Sequence, residues 1–419
     1  MKNFILLILG SLLTSVALAQ ENVAEPGKMR VDYYGFVRGD FYFDSRSCIN
    51  GADGLFGIVP KDKAAIEGED LNETSSARLL SIATRVGLKL GGPDVLGAKS
   101  SGRIEADFCG FSNSATMLRI RLAYMKLDWQ KWGLLVGHNW HPMFGNVAPE
   151  VAGLSTGCPF QPFNFSPQVR LDYKLNRSSL FLSAVYQLQY NSVGPDAADN
   201  TKLSTSAQFL TDGILPELHL GWEGKSENFS FNAGVNYLRL KPRTVGFVDG
   251  QRVKVSECVS SFSATVAAAY KKDKLDVKLK TIYGQNFAHL LLFGGYGVTE
   301  KNEDGSFEYT NFNNSISWFN ISYGLNHKVG LFLGYAKNLG TSDPLADYDN
   351  IYVRSGLKNL DYVWRGSLQY FYLKKHWALG LEYELTTAGY GKLDLNDGTV
   401  FGTEGVSNNR VTGMVQYFF

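Results

Sequence analysis

Two of the six histidines lie close enough in sequence to act together, His138 and His141 in the run His138-Asn139-Trp140-His141. A spacing of three aligns imidazoles on a helix, but this run reads as a strand leading into a loop, which offers no such alignment. Cys48, Cys109, Cys158 and Cys258 are too far apart for a zinc spacing. An exported chain can oxidise them, and four cysteines allow three pairings. No metal site, catalytic residue or cofactor is expected. The chemistry that recurs is charge in register. Arg38, Arg46, Arg85, Lys89, Arg103, Arg119, Arg121, Arg170 and Lys174 stand against Asp32, Asp40, Asp44, Glu105, Asp107 and Asp172. Such a ladder attracts, orients or repels ions rather than breaking bonds.

The elements that hold these charges alternate with a period of two, the mark of strands with a different environment on each face. Over 31–46, Val31, Tyr33, Val37, Phe41 and Phe43 oppose Asp32, Arg38, Asp40, Asp44 and Arg46. In 78–91, Leu80, Ile82, Val86, Leu88 and Leu90 oppose Arg85 and Lys89. In 101–112, Ile104, Ala106 and Phe108 oppose Arg103, Glu105 and Asp107. In 117–128, Leu118, Ile120, Leu122 and Tyr124 oppose Arg119 and Arg121. In 168–176, Val169, Leu171, Tyr173 and Leu175 oppose Arg170, Asp172 and Lys174. Sixteen such segments are expected, at 31–46, 78–91, 101–112, 117–129, 133–140, 168–176, 179–190, 215–223, 228–240, 258–271, 273–285, 315–326, 328–338, 361–373, 376–387 and 409–419.

These strands are too charged for a soluble sandwich and suit a wall with lipid outside and water inside. The expected fold is all-β, a 16-stranded antiparallel transmembrane β-barrel with an inward-folded constriction loop, over 31–419. A closed ring is the only strand arrangement that satisfies every backbone group in lipid. Connections alternate short and long, as in outer-membrane barrels. Short ones carry turn residues such as Gly91-Gly92-Pro93-Asp94 and Asn326-His327. Long ones are expected at 47–77, 141–167, 191–214, 241–257, 286–314, 339–360 and 388–408, with 113–116 a brief link out of turn.

Residues 1–19 have a positive start, an apolar stretch and Ala17-Leu18-Ala19, which reads as a cleavable export signal. A short lead, 20–30, follows. Nothing beyond offers the 18 or more apolar residues of a membrane helix. With 41 basic and 40 acidic residues the chain has no excess for bulk nucleic-acid binding. The terminal Phe419, following Val411, Val415 and Tyr417 on one face, resembles the signal read by the outer-membrane barrel-assembly machinery.

Cationic side chains cannot face lipid cheaply, since a Lys or Arg at the midplane costs roughly 2–4 kcal/mol. Arg38, Arg85, Arg103, Arg119, Arg121 and Arg170 are therefore expected to line the lumen. Loop 141–167 is poor in charge and rich in Pro, Phe and Gly. It is expected to fold into the barrel and narrow the pore, with Phe160, Phe163 and Phe165 lining or wedging the constriction and Glu150 as its acid. Sixteen strands enclose a water-filled channel, and rings of Arg favour small anions over cations.

The ordered motifs Tyr34-Gly35-Phe36-Val37-Arg38, Thr84-Arg85-Val86-Gly87, Glu105-Ala106-Asp107-Phe108, Leu118 to Tyr124 and Leu135 to Trp140 resemble the DcaP-like trimeric porins, which share the sixteen-stranded general-porin architecture. The match covers roughly 31–175 by motif and the remainder by strand rhythm. The resemblance implies a homotrimer and uptake of small anionic solutes, including dicarboxylates. It places Arg38, Arg85, Arg103, Arg119 and Arg121 on the pore wall and makes 141–167 the constriction. That family can carry a coiled-coil segment ahead of the barrel; here 20–30 precedes the first strand. The expected function is a passive outer-membrane channel for small hydrophilic solutes that favours anions such as carboxylates. The rivals are a sugar-permeable channel, an outer-membrane hydrolase needing a Ser or Asp with a His partner, and a surface scaffold without conductance.

Overall fold

The computed structural model describes residues 29–51, 54–110 and 117–419. The expected export signal, most of the lead 20–30 and the expected link 113–116 lie outside the described residues. The described chain forms a closed antiparallel barrel of sixteen wall strands. They are β1 (Arg30–Asp44), β2 (Ser76–Leu80, resuming at Arg85–Gly91), β3 (Lys99–Asp107), β4 (Arg119–Asp128), β5 (Trp132–Trp140), β6 (Phe165–Lys174), β7 (Ser178–Val185) and β8 (Glu217–Lys225). The ring continues through β9 (Phe229–Leu240), β10 (Val259–Lys272), β11 (Leu275–Gln285), β12 (Phe307–Gly324), β13 (His327–Thr341), β14 (Leu360–Lys374), β15 (Trp377–Leu393) and β16 (Val400–Phe418). The seam closes where β1 pairs with β16, from Phe36↔Phe418 to Asp44↔Arg410. Backbones approach closely there. A Cβ on Gly35 would lie 2.4 Å from the Arg85 carbonyl oxygen and 2.6 Å from the Phe419 ring.

Burial is inverted relative to a water-soluble protein. Along β1, Val31, Tyr33, Val37 and Phe41 are exposed, while Arg38 is 3% and Asp40 0% exposed. The outward apolar band matches lipid, and the buried polar set faces the lumen. Near the short turns the outer face carries Trp132, Trp222, Phe229, Tyr270, Tyr323, Tyr370, Trp377 and Tyr417, all exposed, an aromatic girdle at one interface.

The expected alternation breaks in two places, for the same reason. Between Asp40↔Leu80 and Phe36↔Arg85, strand β2 holds one residue more than β1. An extra residue flips every side chain beyond it to the other face. Leu79 therefore faces out, whereas Leu80 and Ile82, expected outside, pack inward. In β4 a bulge lies opposite Glu105/Ala106, so Glu105 pairs with Leu122 while Ala106 pairs with Ile120. Arg121 is the added residue. Leu122 and Tyr124, expected outside, turn in with Arg119 and Arg121.

The expected loop 388–408 is largely strand. β15 and β16 continue as a hairpin whose partners run to Leu393↔Val400. Residues such as Gly402, Glu404, Gly405 and Ser407 are exposed there; the hairpin lacks the lipid-facing band that makes period two visible. Residues 186–190, expected to continue a strand, leave the wall after Val185. Several long loops carry small elements of their own, such as the hairpin Val245–Val248 with Gln251–Lys254. All four cysteines are free, so none of the three pairings forms.

Candidate functional site

The loop between β5 and β6, residues 141–164, folds into the barrel and is fastened to strands across the lumen. The Arg38 guanidinium donates to the Ala152 carbonyl (2.6 Å), and Glu382 accepts from the N–H groups of Ala152 (2.7 Å) and Gly153 (3.0 Å). Arg365 donates to the Cys158 carbonyl (2.7 Å). The Lys280 ammonium, 1% exposed, is held by the carbonyls of Met143 (3.1 Å) and Phe144 (2.7 Å). Glu150 accepts from Lys328 (2.6 Å) and Ser322 (2.9 Å). Burial raises the Glu150 pKa, but the nearby Lys278 and Lys328 more than reverse this, and the carboxyl is held below its usual range.

The aromatic residues wedge this loop in place and are not open to the passage. Phe160 and Phe163 are 0% and 1% exposed. Phe160 seats on Gly334 of β13, where an added Cβ would lie 2.6 Å from the ring, and faces Phe332 with ring centres 6.0 Å apart. Phe163 packs edge-on against Phe56 (4.8 Å) and Trp140 (5.3 Å). Phe165, expected in the loop with Ser166 and Pro167, is the first residue of β6, and its ring lies 4.3 Å from the Arg121 guanidinium carbon. The apolar composition that marked the loop thus serves packing.

Against this plug lies a charged wall built by β2, β3 and β4. Glu105 accepts from Arg121 (2.9 Å) and Arg103 (3.1 Å), with Arg85 at 3.4 Å. Asp107 binds Arg119 (2.6 Å) and Arg121 (3.1 Å). Four guanidiniums share two carboxylates, an excess of two positive charges. Arg85 Nε has no hydrogen-bond partner, and the Arg85 guanidinium carbon lies 4.9 Å from the Phe36 ring centre. Arg38 pairs with Asp40 at 2.6 Å, and Arg170 binds Asp172 at 2.7 Å and Glu223 at 2.5 Å. Arg119 and Arg121 share the inner face by ordinary alternation, and the β4 bulge at Arg121 turns Leu122 inward beside them.

All six expected arginines face the interior, but water reaches them unequally. The side chain of Arg103 is 33% exposed and that of Arg170 18%; those of Arg119 and Arg121 are 3–4% exposed beneath Trp140 and Phe165. Lys174, read from the sequence as water-facing, is 32% exposed; the sequence reading passed over two other interior cations that water reaches, Lys126 (35%), which shares Asp128 with Lys174, and Lys328 (15%). Lys126 was hidden by the bulge, which put it on the unexpected side. The two close histidines do not share a site. His138 lies 3.3 Å from Gln189, whereas His141 meets Glu217 at 3.1 Å.

No family model matches the chain, and no curated protein matches it by sequence. Solved structures do. The outer-membrane channel DcaP of Acinetobacter baumannii is similar over 94% of this chain and 100% of its own, with a TM-score of 0.64 and 21% identity. An anion-selective porin from Comamonas acidovorans matches with a TM-score of 0.55 at 10% identity, covering 94% and 100% of the two chains. The outer-membrane protein OmpT of Vibrio cholerae matches with 0.55 at 11% identity over 93% and 98%. The likeness first read from motifs in 31–175 therefore extends through the whole fold: this chain has the sixteen-stranded β-barrel fold of the porins, DcaP among its structural neighbours.

Proposed function

We propose that this barrel is a passive diffusion channel for small hydrophilic solutes and that it favours anions such as carboxylates. The observation that carries the reading is the sharing of two carboxylates, Glu105 and Asp107, among Arg85, Arg103, Arg119 and Arg121. The protein leaves two positive charges there unmatched. Low-dielectric walls strengthen their field in the lumen, which raises local anion concentration. Lys126 and Lys174, which share the single carboxylate of Asp128, add one more unmatched positive charge on a surface that water reaches. The anion selectivity of the Comamonas porin agrees with this.

Loop 141–164 is the constriction. Glu150 lies within it, and Phe160 and Phe163 hold it against the wall. Assembly as a homotrimer and recognition of Phe419 by the barrel-assembly machinery belong to the same reading, as does export through the signal at 1–19. Loop aromatics that stack on sugars would favour a sugar channel, but Phe160 and Phe163 are covered on all sides.

Swelling of vesicles carrying the purified protein tests the proposal. Small carboxylates should enter faster than neutral sugars of similar size. Equal entry of both, or faster entry of sugars, would contradict the anion preference, and no entry of either would contradict a channel.

A further inference from the structure

Three residues that the channel reading does not use meet behind the constriction loop. His141 begins that loop, Glu217 begins β8, and His289 lies in the short helical turn Ala288–Leu290 of the loop after β11. Their ligand atoms all lie within 4.8 Å of one another. His141 Nε2 is 3.1 Å from Glu217 Oε1, and His289 Nε2 is 3.1 Å from Glu217 Oε2. All three side chains are no more than 1% exposed.

We propose that His141, Glu217 and His289 bind a divalent transition-metal ion of the zinc class. Two imidazoles and a carboxylate are a borderline-soft donor set that suits Zn2+ and disfavours Mg2+ or Ca2+, which take oxygen ligands. Ligands about 2.0–2.1 Å from a tetrahedral ion stand roughly 3.3 Å apart. The two 3.1 Å separations need little adjustment to reach that.

A second observation points the same way. Asn236 Oδ1 has no hydrogen-bond partner, although the residue is buried beside Glu217. An orphaned buried polar atom next to three donor groups marks a missing ion or water. Asn236 donates to Glu217 Oε1 at 2.7 Å. A flip of its amide exchanges nitrogen for oxygen and offers Oδ1, otherwise unpartnered, as a fourth ligand. Without an ion, His141 Nδ1 accepts from the Met143 N–H at 3.3 Å, which leaves its ring proton on Nε2. Metal binding moves that proton to Nδ1 and gives up this contact, the longest of the group. The ion would staple two lumenal loops to β8.

The test uses the full-length protein without an affinity tag, folded in detergent, stripped with a chelator and titrated with Co2+ and with Zn2+. The wild type should hold about one ion per chain after excess is removed and show the visible bands of four-coordinate Co2+. Both should disappear in His289→Ala, and Asn236→Ala should weaken binding roughly 10–100-fold. Should His289→Ala fail to fold, as judged by heat-shifted gel mobility, the wild-type spectrum and stoichiometry decide alone. Folded wild type that retains no ion and shows no bands overturns the site, as does equal binding by folded His289→Ala.

Discussion

The lumen has two unlike walls. Around the seam, β15, β16 and β1 to β6 present charge: Arg38, Asp40, Arg85, Glu105, Asp107, Arg119, Arg121, Glu382 and Arg410 are all buried and inward. Across from them, β9, β10 and β12 present mostly small neutral groups, among them Asn232, Asn236, Ser261, Ser263, Thr265, Asn314, Asn320 and Ser322. The constriction loop spans the two. It meets the charged wall through guanidiniums and Glu382. On the far side it meets apolar residues and amides, with Phe160 on Gly334 and Trp318 donating to Gln161 at 3.1 Å, and two cations, Lys280 and Lys328. The denser charge on the arginine side places a transverse field across whatever passage the loop leaves.

The comparison breaks most readily at the charged wall. Arg121→Leu takes one charged hydrogen bond from each of Glu105 and Asp107, which keep Arg85, Arg103 and Arg119, and should cost about 1.5–3 kcal/mol. Denaturant unfolding from detergent would measure it. Replacing Arg119 and Arg121 together with Ser removes the charge excess and should abolish anion preference in whatever fraction folds. Gly334→Val acts where the loop docks. Its side chain meets a rigid Phe160 ring that has no room to shift, so a loss of about 1–3 kcal/mol is expected. Single-channel conductance should rise as the loop lifts. Ser263→Ala tests the neutral wall. Its hydroxyl has only a long contact to the Met143 sulfur (3.8 Å), so the change should be no more than about 1 kcal/mol.

The smallest effect concerns the thiols and leaves stability untouched. Burial pushes the Cys48 and Cys158 thiols up to about 12, and Cys109 is likewise buried. Little thiolate forms at neutral pH when the pKa is raised, and the thiolate is the reactive species. Maleimide should modify the folded protein only at the partly exposed Cys258, and all four positions after denaturation. Mass spectrometry of the labelled peptides reads the result.

Much of this was legible because lipid and water write opposite residues on the two faces of one strand. Where the contrast is charge against large apolar side chains, as in β1 or β6, the faces could be assigned from spacing. Leu80, Ile82, Leu122 and Tyr124 could not, since an added residue matters only relative to the neighbouring strand. The hairpin 388–408 was invisible for want of a lipid-facing band. The loop's inward fold was legible in its lack of charge, but the burial of Phe160 and Phe163 depended on partners such as Gly334 and Phe56. The His141–Glu217–His289 group brings together residues 76 and 72 positions apart, and spacing rules do not reach that far.

The reversal potential of the wild-type channel in a planar bilayer under a salt gradient tests the central claim most directly. Its sign should show anions crossing faster than cations, and the preference should fade as salt screens the wall. A potential of the cation-selective sign would contradict the charged-wall account.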